Sequence, residues 1–571
     1  MKRWGIGFLF VLLSCIPIYT NRGTGAALLT DTDTAVLLRT IRETNRPFSW
    51  FAGDWPLHNH FYRPVPTLTF ELDTRLYGDD AEGYGTTSAI LVILCVFALF
   101  WFIRELTDKL ILSTLASMLF AFWSGGSLYP AVGDALGYAF WVAAVMSIFF
   151  ALKASITPGR KNDGLGPRAL GLGEVREKEG LGPWALGLGE VREKEGLGPW
   201  ALGLGEEREK GGLGPWALGL GEVREKEGLG PWALGLGGEK GVEPWALGLD
   251  AEKTEGLGGA KRTDDWRRAR TAAAAALVLW YAAMEVTGNL VSNVSLLSTR
   301  MIGWLPSRTA SVMTIFALVA MAAYARYERV SAERLLPEPS PLDPPATKNT
   351  RQGPAEKAPW IWAACAVVSA ALAFASYEQA IMAPAALLGV AVLMRMQGFR
   401  VRWAWQAPFW LLLIGYFVLR KELLPAGVSR YEHQQLRYGP AVEQAILSYV
   451  FPTWGLFLQT VQSMGAGLGV FLSMDVYAGL LGFSANVAAF VAARKRLVFA
   501  LAGWGLSILT FLPMAWLKFF PWYHFWPMAM RSIFAVTLCW IGFDLLVSAV
   551  SPQAVQAPPR RDPAPGSLPH P

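Results

Sequence analysis

Apolar residues fill long stretches of the chain, and polar residues are collected into a few segments between them. A run of roughly 17 to 25 apolar residues is long enough to cross a bilayer as a helix. The pattern therefore predicts an all-α polytopic membrane protein with about 12 transmembrane helices. The runs lie at residues 4–20, 87–104, 108–125, 135–153, 271–289, 308–326, 359–376, 379–396, 405–420, 467–492, 497–517 and 528–549.

The first run has a second interpretation. Its sequence, "MKRWGIGFLFVLLSC", starts with basic residues and ends in "LLSC", a loose lipobox around Cys15, as a signal peptide does. No cleavage pattern of the A-x-A type follows. We therefore favour an uncleaved first helix and keep the cleaved signal peptide as the alternative.

Lysine and arginine residues set the predicted orientation, because cytoplasmic loops of membrane proteins are enriched in both. If the runs alternate in direction, the basic residues at positions 2–3, 104–109, 153–270, 395–402 and 494–496 share one side. We predict that this side is cytoplasmic and holds both termini. The same alternation requires the segment 443–465 to lie at the interface or to re-enter the membrane.

The polar segments divide the chain into modules. The prediction is an N-terminal membrane module at 1–153, a cytoplasmic insertion at 154–270, membrane spans at 271–326, a Pro-rich cytoplasmic linker at 327–358, a C-terminal membrane module at 359–550 and a disordered tail at 551–571.

A sixteen-residue repeat, "GLGPWALGLGEVREKE", fills residues 164–255. Its glycines and proline raise the entropic cost of order, and its charged part is solvated. We expect a flexible insertion rather than a folded module. The alternative is a set of weak hydrophobic contacts with the membrane or a partner, made by Trp184, Trp200, Trp216 and Trp232.

Composition supports the membrane class: 53% of the residues are hydrophobic and 17% are charged, which excludes an ordinary soluble protein. The net charge of +6 is mostly explained by the cytoplasmic flanks. No basic patch is interleaved with aromatic residues, so we expect no nucleic-acid partner. All four cysteines fall inside predicted spans, which favours buried thiols over disulfides or metal ligands.

In this orientation residues 21–86 form the first extracytoplasmic loop. The stretch "TDTDT" brings Asp31 and Asp33 into it. The following "AVLLRTIRE" has apolar residues at helical spacing, with Asp33 or Thr34 available as a cap. It predicts a short amphipathic helix on the membrane surface, with both aspartates in the loop before it.

Neighbouring aspartates suit two kinds of chemistry, a general base beside an electrostatic partner or oxygen ligands for a divalent cation. The stretch "HNHFYRP" adds His58, His60 and Arg63, which suit a phosphate group. The structural alternatives are a solvated capping loop for "TDTDT" and an ordinary polar entry to a helix for "HNHFYRP".

The combination of an early acidic motif with "HNHFYRPVPTLTFELDTRLYG" resembles the multi-spanning glycosyltransferases of the C-type (GT-C) fold. It is similar to the branch of the protein O-mannosyltransferases and the tetratricopeptide-containing transmembrane O-mannosyltransferases. The stretches "ASYEQAIMAPAALL" at 375–388 and "YFVLRKELL" at 416–424 extend the resemblance. The chain departs from these proteins in having "DTD" where relatives often show Asp-Asp or Asp-Glu, and in lacking tetratricopeptide repeats.

The resemblance implies transfer of a sugar, with inversion, from a polyprenyl-phosphate donor to a hydroxyl of a protein, lipid or glycan. It implies Asp31 as the general base, with Asp33 as the alternative base. Both are also candidate ligands of a divalent cation, Mg²⁺ or Mn²⁺, and the need for such a cation stays open. Candidates for binding the donor phosphate or the acceptor are His58, His60, Arg63, Glu378, Arg420 and Lys421.

Two later segments carry polar residues with open roles. Glu378 lies between two apolar runs, where it either faces a wet cavity or a partner, or sits in an exposed outer turn. The aromatic stretch "FFPWYHFWPMAMRS" at 519–532 is typical of an interface, so His524 and Arg531 are expected to be interface anchors rather than ligands.

The predicted location is the bacterial cytoplasmic membrane, in contact with its lipids, with the site facing the periplasm or the outside. Two other classes stay open. A transporter or flippase of polyprenyl-linked lipids or small anions would show two similar halves, and we find no such symmetry. A non-catalytic scaffold would use the repeat to recruit partners.

Overall fold

The computed structural model describes residues 2–44, 46–126, 257–286, 294–334, 359–425, 427, 430–452, 461, 474–518 and 520–550. These ranges are almost entirely helical and contain no β-strand, which confirms the all-α prediction. The chain divides into one unit of residues 1–154 and 266–571 and another of residues 155–265. The predicted span 135–153, the repeat 164–255, most of the linker 327–358 and the tail 551–571 lie outside the described residues.

The N-terminal membrane module contains long helices on either side of a loop with helices of its own. In chain order these are α1 (Lys2–Ser14), α2 (Ile16–Thr20), α3 (Ala27–Thr30), α4 (Thr32–Thr44), α5 (Pro64–Tyr77), α6 (Ala81–Thr107) and α7 (Leu110–Gly125), with a 3₁₀ turn at Pro47–Ala52.

The remaining described helices follow the insertion. They are α8 (Leu257–Val286), α9 (Val294–Gly303), α10 (Arg308–Arg334), α11 (Pro359–Phe374), α12 (Ala383–Met396), α13 (Ala407–Leu423), α14 (Arg430–Gln435), α15 (Pro440–Val450), α16 (Met474–Ala493), α17 (Leu497–Ala500), α18 (Leu506–Phe511) and α19 (Phe525–Val550). A π-helical turn, Leu501–Gly505, joins α17 to α18, and 3₁₀ turns include Glu378–Met382, Arg494–Arg496 and Pro521–His524.

Within the described residues, five segments are long and apolar enough to cross a membrane, as expected for a membrane-embedded protein. They are Ala81–Thr107, Leu305–Ala332, Glu378–Met396, Gly479–Trp516 and Trp522–Ala549. Three shorter apolar helices, Trp4–Thr20, Leu110–Gly125 and Pro359–Phe374, coincide with further predicted runs.

The segment Gly479–Trp516 reverses direction and is not one straight helix. The rings of Phe490 and Trp504 lie 4.9 Å apart, whereas fourteen residues of continuous α-helix would separate them by about 21 Å. The reversal falls at Arg494–Arg496, between the two predicted runs. Arg496 pairs with Asp544 at 2.6 Å, near the far end of α19.

Basic residues collect at one end of the helix bundle. Arg104, at the end of α6, stacks 4.6 Å from the centre of the Trp4 ring. Arg329, near the end of α10, donates a hydrogen bond to the backbone oxygen of Glu105. Since α6 and α10 both begin at the other end of the bundle, residues 21–80 lie away from this basic end.

The first loop, defined here as residues 21–80, ends earlier than the predicted residue 86. Asp80 caps α6 by accepting a hydrogen bond from the Glu82 N–H at 3.0 Å, so α6 begins at Ala81. The helix predicted from "AVLLRTIRE" is confirmed as α4.

The start of α4 differs from the prediction. Asp31, not Asp33 or Thr34, is the capping residue, because its carboxylate accepts from the Thr34 N–H at 3.4 Å and its backbone oxygen accepts from Ala35 N–H at 2.8 Å. Asp33 therefore lies in the first helical turn, where a negative charge is favourable, and the prediction that it precedes the helix is wrong.

The apolar face of α4 packs against protein. The prediction that this face would lie on the membrane surface is therefore wrong. Its inward residues Leu37, Leu38 and Ile41 share one core cluster with Trp50 and Phe70. Helical periodicity identifies an apolar face but cannot identify what covers it.

Buried polar contacts fasten the first loop to the bundle. Asp73 of α5 and Arg308 at the start of α10 form an ion pair of 2.7 Å, and both side chains are 1% exposed. Thr87 of α6 donates to the same carboxylate at 2.8 Å. The Val65 N–H donates to the Ala375 oxygen at 3.1 Å. The loop is thus held in place by α6, α10 and α11.

The segment 443–465 is described only in part. α15 ends at Val450, and Tyr449 is buried, stacking on Phe511 with ring centres 3.9 Å apart. The end of α15 therefore packs into the helix bundle. Residues 453–460 and 462–473 lie outside the described residues, so that an interfacial or re-entrant course of the segment stays a prediction.

Candidate functional site

A cavity of about 450 Å³ lies between the first loop and the helix ends beneath it. Of the predicted site residues, Asp33, His58 and Arg63 line it, and Asp31, His60, Glu378, Arg420 and Lys421 do not. The rest of the wall is Val36, Trp55, Leu57, Asn59, Phe61, Trp304, Pro306, Thr309, Tyr377, Gln434, Trp522 and Tyr523. The volume lies within the roughly 300–1,000 Å³ that is usual for small-molecule sites.

The two aspartates have different surroundings. The Asp31 carboxylate accepts a hydrogen bond from the Trp304 indole N–H at 3.0 Å, in addition to capping α4. In the described part of the chain no group donates to the Asp33 carboxylate, which faces the cavity. Partial desolvation, and to a lesser extent the charge of Asp31, raises the pKa of Asp33 above its ordinary value of 3.8. Within the described structure, Asp33 therefore has both carboxylate oxygens open on the cavity wall, whereas Asp31 keeps only Oδ1 open and does not line the cavity.

Asp54 organises the loop that carries the histidines. Its carboxylate accepts from the backbone N–H groups of Trp55 at 2.8 Å, Phe61 at 2.9 Å and His60 at 3.1 Å. This closed turn holds His58 and His60 at φ values of 50° and 63°, which are unusual for residues other than glycine. His58 reaches the cavity as a consequence.

Arg63 is neutralised by Glu378. Its Nε donates to the two carboxylate oxygens at 2.9 and 3.2 Å, and its Nη2 donates to one of them at 2.5 Å. The guanidinium lies 4.1 Å from the ring centre of Phe61, 4.6 Å from that of Tyr377 and 4.7 Å from that of Trp55. Glu378 therefore has a buried charged partner, which is one of the environments predicted for it, and the pair fixes Arg63 in the cavity wall.

An apolar groove of about 520 Å³ lies beside the cavity. Helices α11 and α13 form its walls, and Gly415 and Tyr416 are among the α13 residues that line it. The first loop contributes Phe51 and Tyr62. Tyr62 stands between two residues of the polar cavity, Phe61 and Arg63. The segment 61–63 therefore has the polar cavity on one side and the apolar groove on the other.

Two cations follow the end of the groove along α13. Leu419 lines the groove, and Arg420 and Lys421 come directly after it. Arg420 donates to the backbone oxygen of His60 at 3.3 Å, and Lys421 is exposed. His60 and Arg420 are thus brought together beside the groove, away from the wall of the polar cavity.

The donor set for a metal ion is small. Among the described residues, no group of three or more His, Cys, Asp or Glu side chains is placed to share an ion. The Asp31 carboxylate accepts three hydrogen bonds from described residues, all at Oδ2, which leaves its Oδ1 and the Asp33 carboxylate as the open oxygens. Mg²⁺ at such a site would rely on water or substrate oxygens for most of its ligands.

Aromatic residues make up more of the site than the sequence indicated. Trp304, Tyr377, Trp522 and Tyr523 line the cavity although they are distant from the first loop in sequence. The aromatic stretch at 519–532 was a usable signal, but aromatic residues are also abundant at membrane interfaces.

The expected interface roles of His524 and Arg531 are wrong. His524 is 5% exposed and Arg531 is fully buried. Arg531 donates to Glu285 at 2.6 and 2.9 Å and to the Tyr449 oxygen at 2.9 Å, so that it joins α8, α15 and α19. A buried arginine needs such partners. The sequence does not indicate that Glu285 is the partner, because Glu285 and Arg531 are 246 residues apart.

Comparisons with known proteins return no match to a family model, a curated protein or a solved structure. The geometry of the cavity and the groove therefore carries the functional argument.

Proposed function

We propose that the protein is a membrane glycosyltransferase that moves a sugar from a polyprenyl-phosphate donor to an acceptor hydroxyl. One observation carries the proposal: a polar, aromatic cavity and an apolar groove meet at residues 61–63. A substrate with a long hydrocarbon chain and a sugar needs both kinds of surface side by side. A soluble nucleotide-sugar would have no use for the groove.

The donor would bind with its hydrocarbon chain in the apolar groove. The hydrocarbon would lie between α11 and α13, with its phosphate near Arg420 and Lys421, the cations that follow the groove. Both can form charge-assisted hydrogen bonds to a phosphate and stabilise it as a leaving group. His58, on the cavity wall, is a further donor for the phosphate or for the acceptor.

Asp33 is our candidate for the general base. It would take the proton of the acceptor hydroxyl while the acceptor oxygen attacks the anomeric carbon from the face opposite the phosphate. The new C–O bond forms as the bond from the anomeric carbon to the phosphate oxygen breaks, and polyprenyl phosphate leaves with the electron pair. The product has inverted configuration. Asp31, engaged by Trp304, is a positioning residue in this account.

We infer that the cavity faces the periplasm or the outside of a bacterial cytoplasmic membrane and that about twelve helices cross it. The basic end of the bundle, with Arg104 and Arg329, would then be cytoplasmic. The cavity lies at the opposite end. Membrane lipids would surround the apolar helices.

Filling the groove tests the proposal. Gly415 lines it, and a Cβ added there meets nothing within 4 Å, so Gly415→Leu is expected to enter the groove without disturbing the fold. Gly5→Leu is the matched control, an exposed glycine of α1 with equally open surroundings. Each protein is purified, placed in vesicles with a panel of radiolabelled polyprenyl-phosphate sugars and a mixture of peptide, lipid and saccharide acceptors, and assayed for label that leaves the carrier.

We expect the wild type and Gly5→Leu to release one labelled sugar, and Gly415→Leu to show at least about a tenfold higher donor KM, equivalent to 1.4 kcal/mol. Equal kinetics in all three proteins would remove the groove from the account. Donor that crosses the bilayer intact, with no release in any protein, would indicate a flippase instead.

The pH dependence of transfer distinguishes the two aspartates. Because a base must be deprotonated and the pKa of Asp33 is raised, kcat/KM is expected to fall on the acid side at a pH above the ordinary value of 3.8. Asp31→Asn removes the neighbouring negative charge, which lowers the pKa of Asp33 and moves this acid limb to lower pH. If the acid limb lies at the same pH in Asp31→Asn as in the wild type, the assignment of Asp33 as the general base is contradicted.

A further inference from the structure

The cavity wall contains two buried polar atoms that have no partner among the described residues. They are the indole Nε1–H of Trp55, a donor, and the side-chain oxygen Oδ1 of Asn59, an acceptor. Both residues line the cavity. Buried polar groups in folded proteins nearly always have a hydrogen-bond partner, and leaving one without costs free energy. Because both belong to residues of the cavity wall, a cavity ligand that both accepts and donates hydrogen bonds would supply the missing partners.

A neutral hydroxyl group meets that requirement. It accepts a hydrogen bond from an N–H group and donates one to an amide oxygen, whereas a phosphate or a carboxylate only accepts. The amide of Gln434 on the same wall can also do both. Arg63, the buried cation of the wall, is neutralised by Glu378. Among its described residues the wall therefore has no unpaired arginine that could bind an anion.

The rings of the wall favour the same class of ligand. Trp304 is half-buried and lines the cavity, with its N–H held by Asp31 and its ring 4.3 Å from that of Trp522. A ring fixed in this way is a flat apolar platform. Pyranose sugars present C–H groups on their faces and hydroxyl groups around their edges, and so match a platform surrounded by hydrogen-bonding groups.

We infer that the acceptor is a carbohydrate, bound in the cavity by the Trp55 N–H and the Asn59 oxygen with a sugar ring on Trp304. This assignment of the acceptor rests on the proposed function. The sugar hydroxyl nearest Asp33 would be the group that is glycosylated. A peptide acceptor would present one side-chain hydroxyl and leave more of these groups unsatisfied.

The first test is binding of the acceptor alone. The purified wild-type protein is titrated calorimetrically, without lipid donor, with a panel of methyl hexopyranosides and disaccharides. We expect at least one saccharide to bind, and expect Asn59→Ala and Trp55→Phe each to weaken its affinity by about tenfold. Trp55→Phe keeps a ring against Arg63 and removes only the N–H donor.

Two matched controls have the same unsatisfied atoms outside the cavity. The Oδ1 of Asn486 and the Nε1 of Trp362 are also buried without a partner in the described structure, and neither residue lines the cavity. Asn486→Ala and Trp362→Phe are expected to bind the saccharide as the wild type does. If all four variants lose affinity equally, the effect reflects general destabilisation, and the cavity assignment is overturned.

The second test adds the labelled donor. The saccharide that binds best is expected to gain a sugar. Donor turnover onto a hydroxyl-containing peptide, with no saccharide bound, would overturn this inference and leave the proposed function intact. Saccharide binding that the cavity variants abolish, without turnover of any donor, would instead support the sugar site and contradict the proposed transferase.

Discussion

Replacing Asp73 by asparagine is expected to lower the free energy of unfolding by about 3–5 kcal/mol, because it leaves the charge of Arg308 buried and unpaired. Both side chains are 1% exposed. Arg308 is fixed there by a hydrogen bond to the Tyr84 oxygen at 3.0 Å and by the Phe70 ring, 4.6 Å from its guanidinium. It cannot turn to water when its partner is lost. Chemical or thermal unfolding of the detergent-purified protein measures the change.

Asp79→Asn is the matched control for this substitution. Asp79 pairs with Arg42 at the same distance, 2.7 Å, but the two side chains are 87% and 41% exposed. Exposed ion pairs contribute about 0–1 kcal/mol, so we expect a small change. Equal losses in Asp73→Asn and Asp79→Asn would show that the Asp73 pair does not hold the first loop in the way described.

A double replacement distinguishes the cost of breaking the ion pair from the cost of burying its two charges. Desolvation raises the pKa of Asp73 in spite of Arg308, which indicates that burying the two charges is costly. Asp73→Leu combined with Arg308→Met removes both charges and is expected to be more stable than Asp73→Asn alone. The ion pair of Arg531 and Glu285 is also fully buried, and the same comparison of single and double replacements applies to it.

Asp33→Asn is expected to lower kcat for sugar transfer by about 10²- to 10⁴-fold, the usual contribution of a well-placed general base. The donor KM should change little, because the groove and its cations are untouched. Asparagine has the same shape as aspartate, so the fold and the cavity are preserved. Initial rates over a range of donor concentrations measure both constants.

Asp31→Asn provides the comparison. Asparagine caps helices as well as aspartate does and can still accept from the Trp304 N–H, so most of the activity should remain. If Asp31→Asn abolishes transfer and Asp33→Asn does not, then Asp31 is the base, as the family resemblance alone implies. The two variants have the same change of charge, which makes the comparison direct.

The long apolar helices among the described residues coincide with predicted runs, because those runs are long and the breaks between them are polar. The reversal at Arg494–Arg496 falls where two apolar runs meet a basic cluster. The density of polar residues in the first loop also indicated the loop that contributes Asp33, His58 and Arg63 to the cavity wall. Apolar periodicity could not show that α4 packs on Trp50 and Phe70 and not on lipid, since both surfaces are apolar.

The partners of the charged residues could not be predicted from the sequence. Arg63 and Glu378 are 315 residues apart, and nothing in the sequence indicates that they pair with each other. The choice between Asp31 and Asp33 depended on where α4 begins, and a difference of one or two residues decides which carboxylate caps the helix and which faces the cavity. Local patterns fix helix boundaries no more closely than that.

Sugar transfer is tested most directly by quantifying both products of the reaction in vesicles that contain the purified protein, the lipid-linked sugar and a saccharide acceptor. We expect free polyprenyl phosphate and glycosylated acceptor to appear in equal amounts with the wild type, and both to disappear with Asp33→Asn. If the carrier stays glycosylated while it crosses the bilayer, or if both proteins release sugar at the same rate, the protein is not the transferase proposed here.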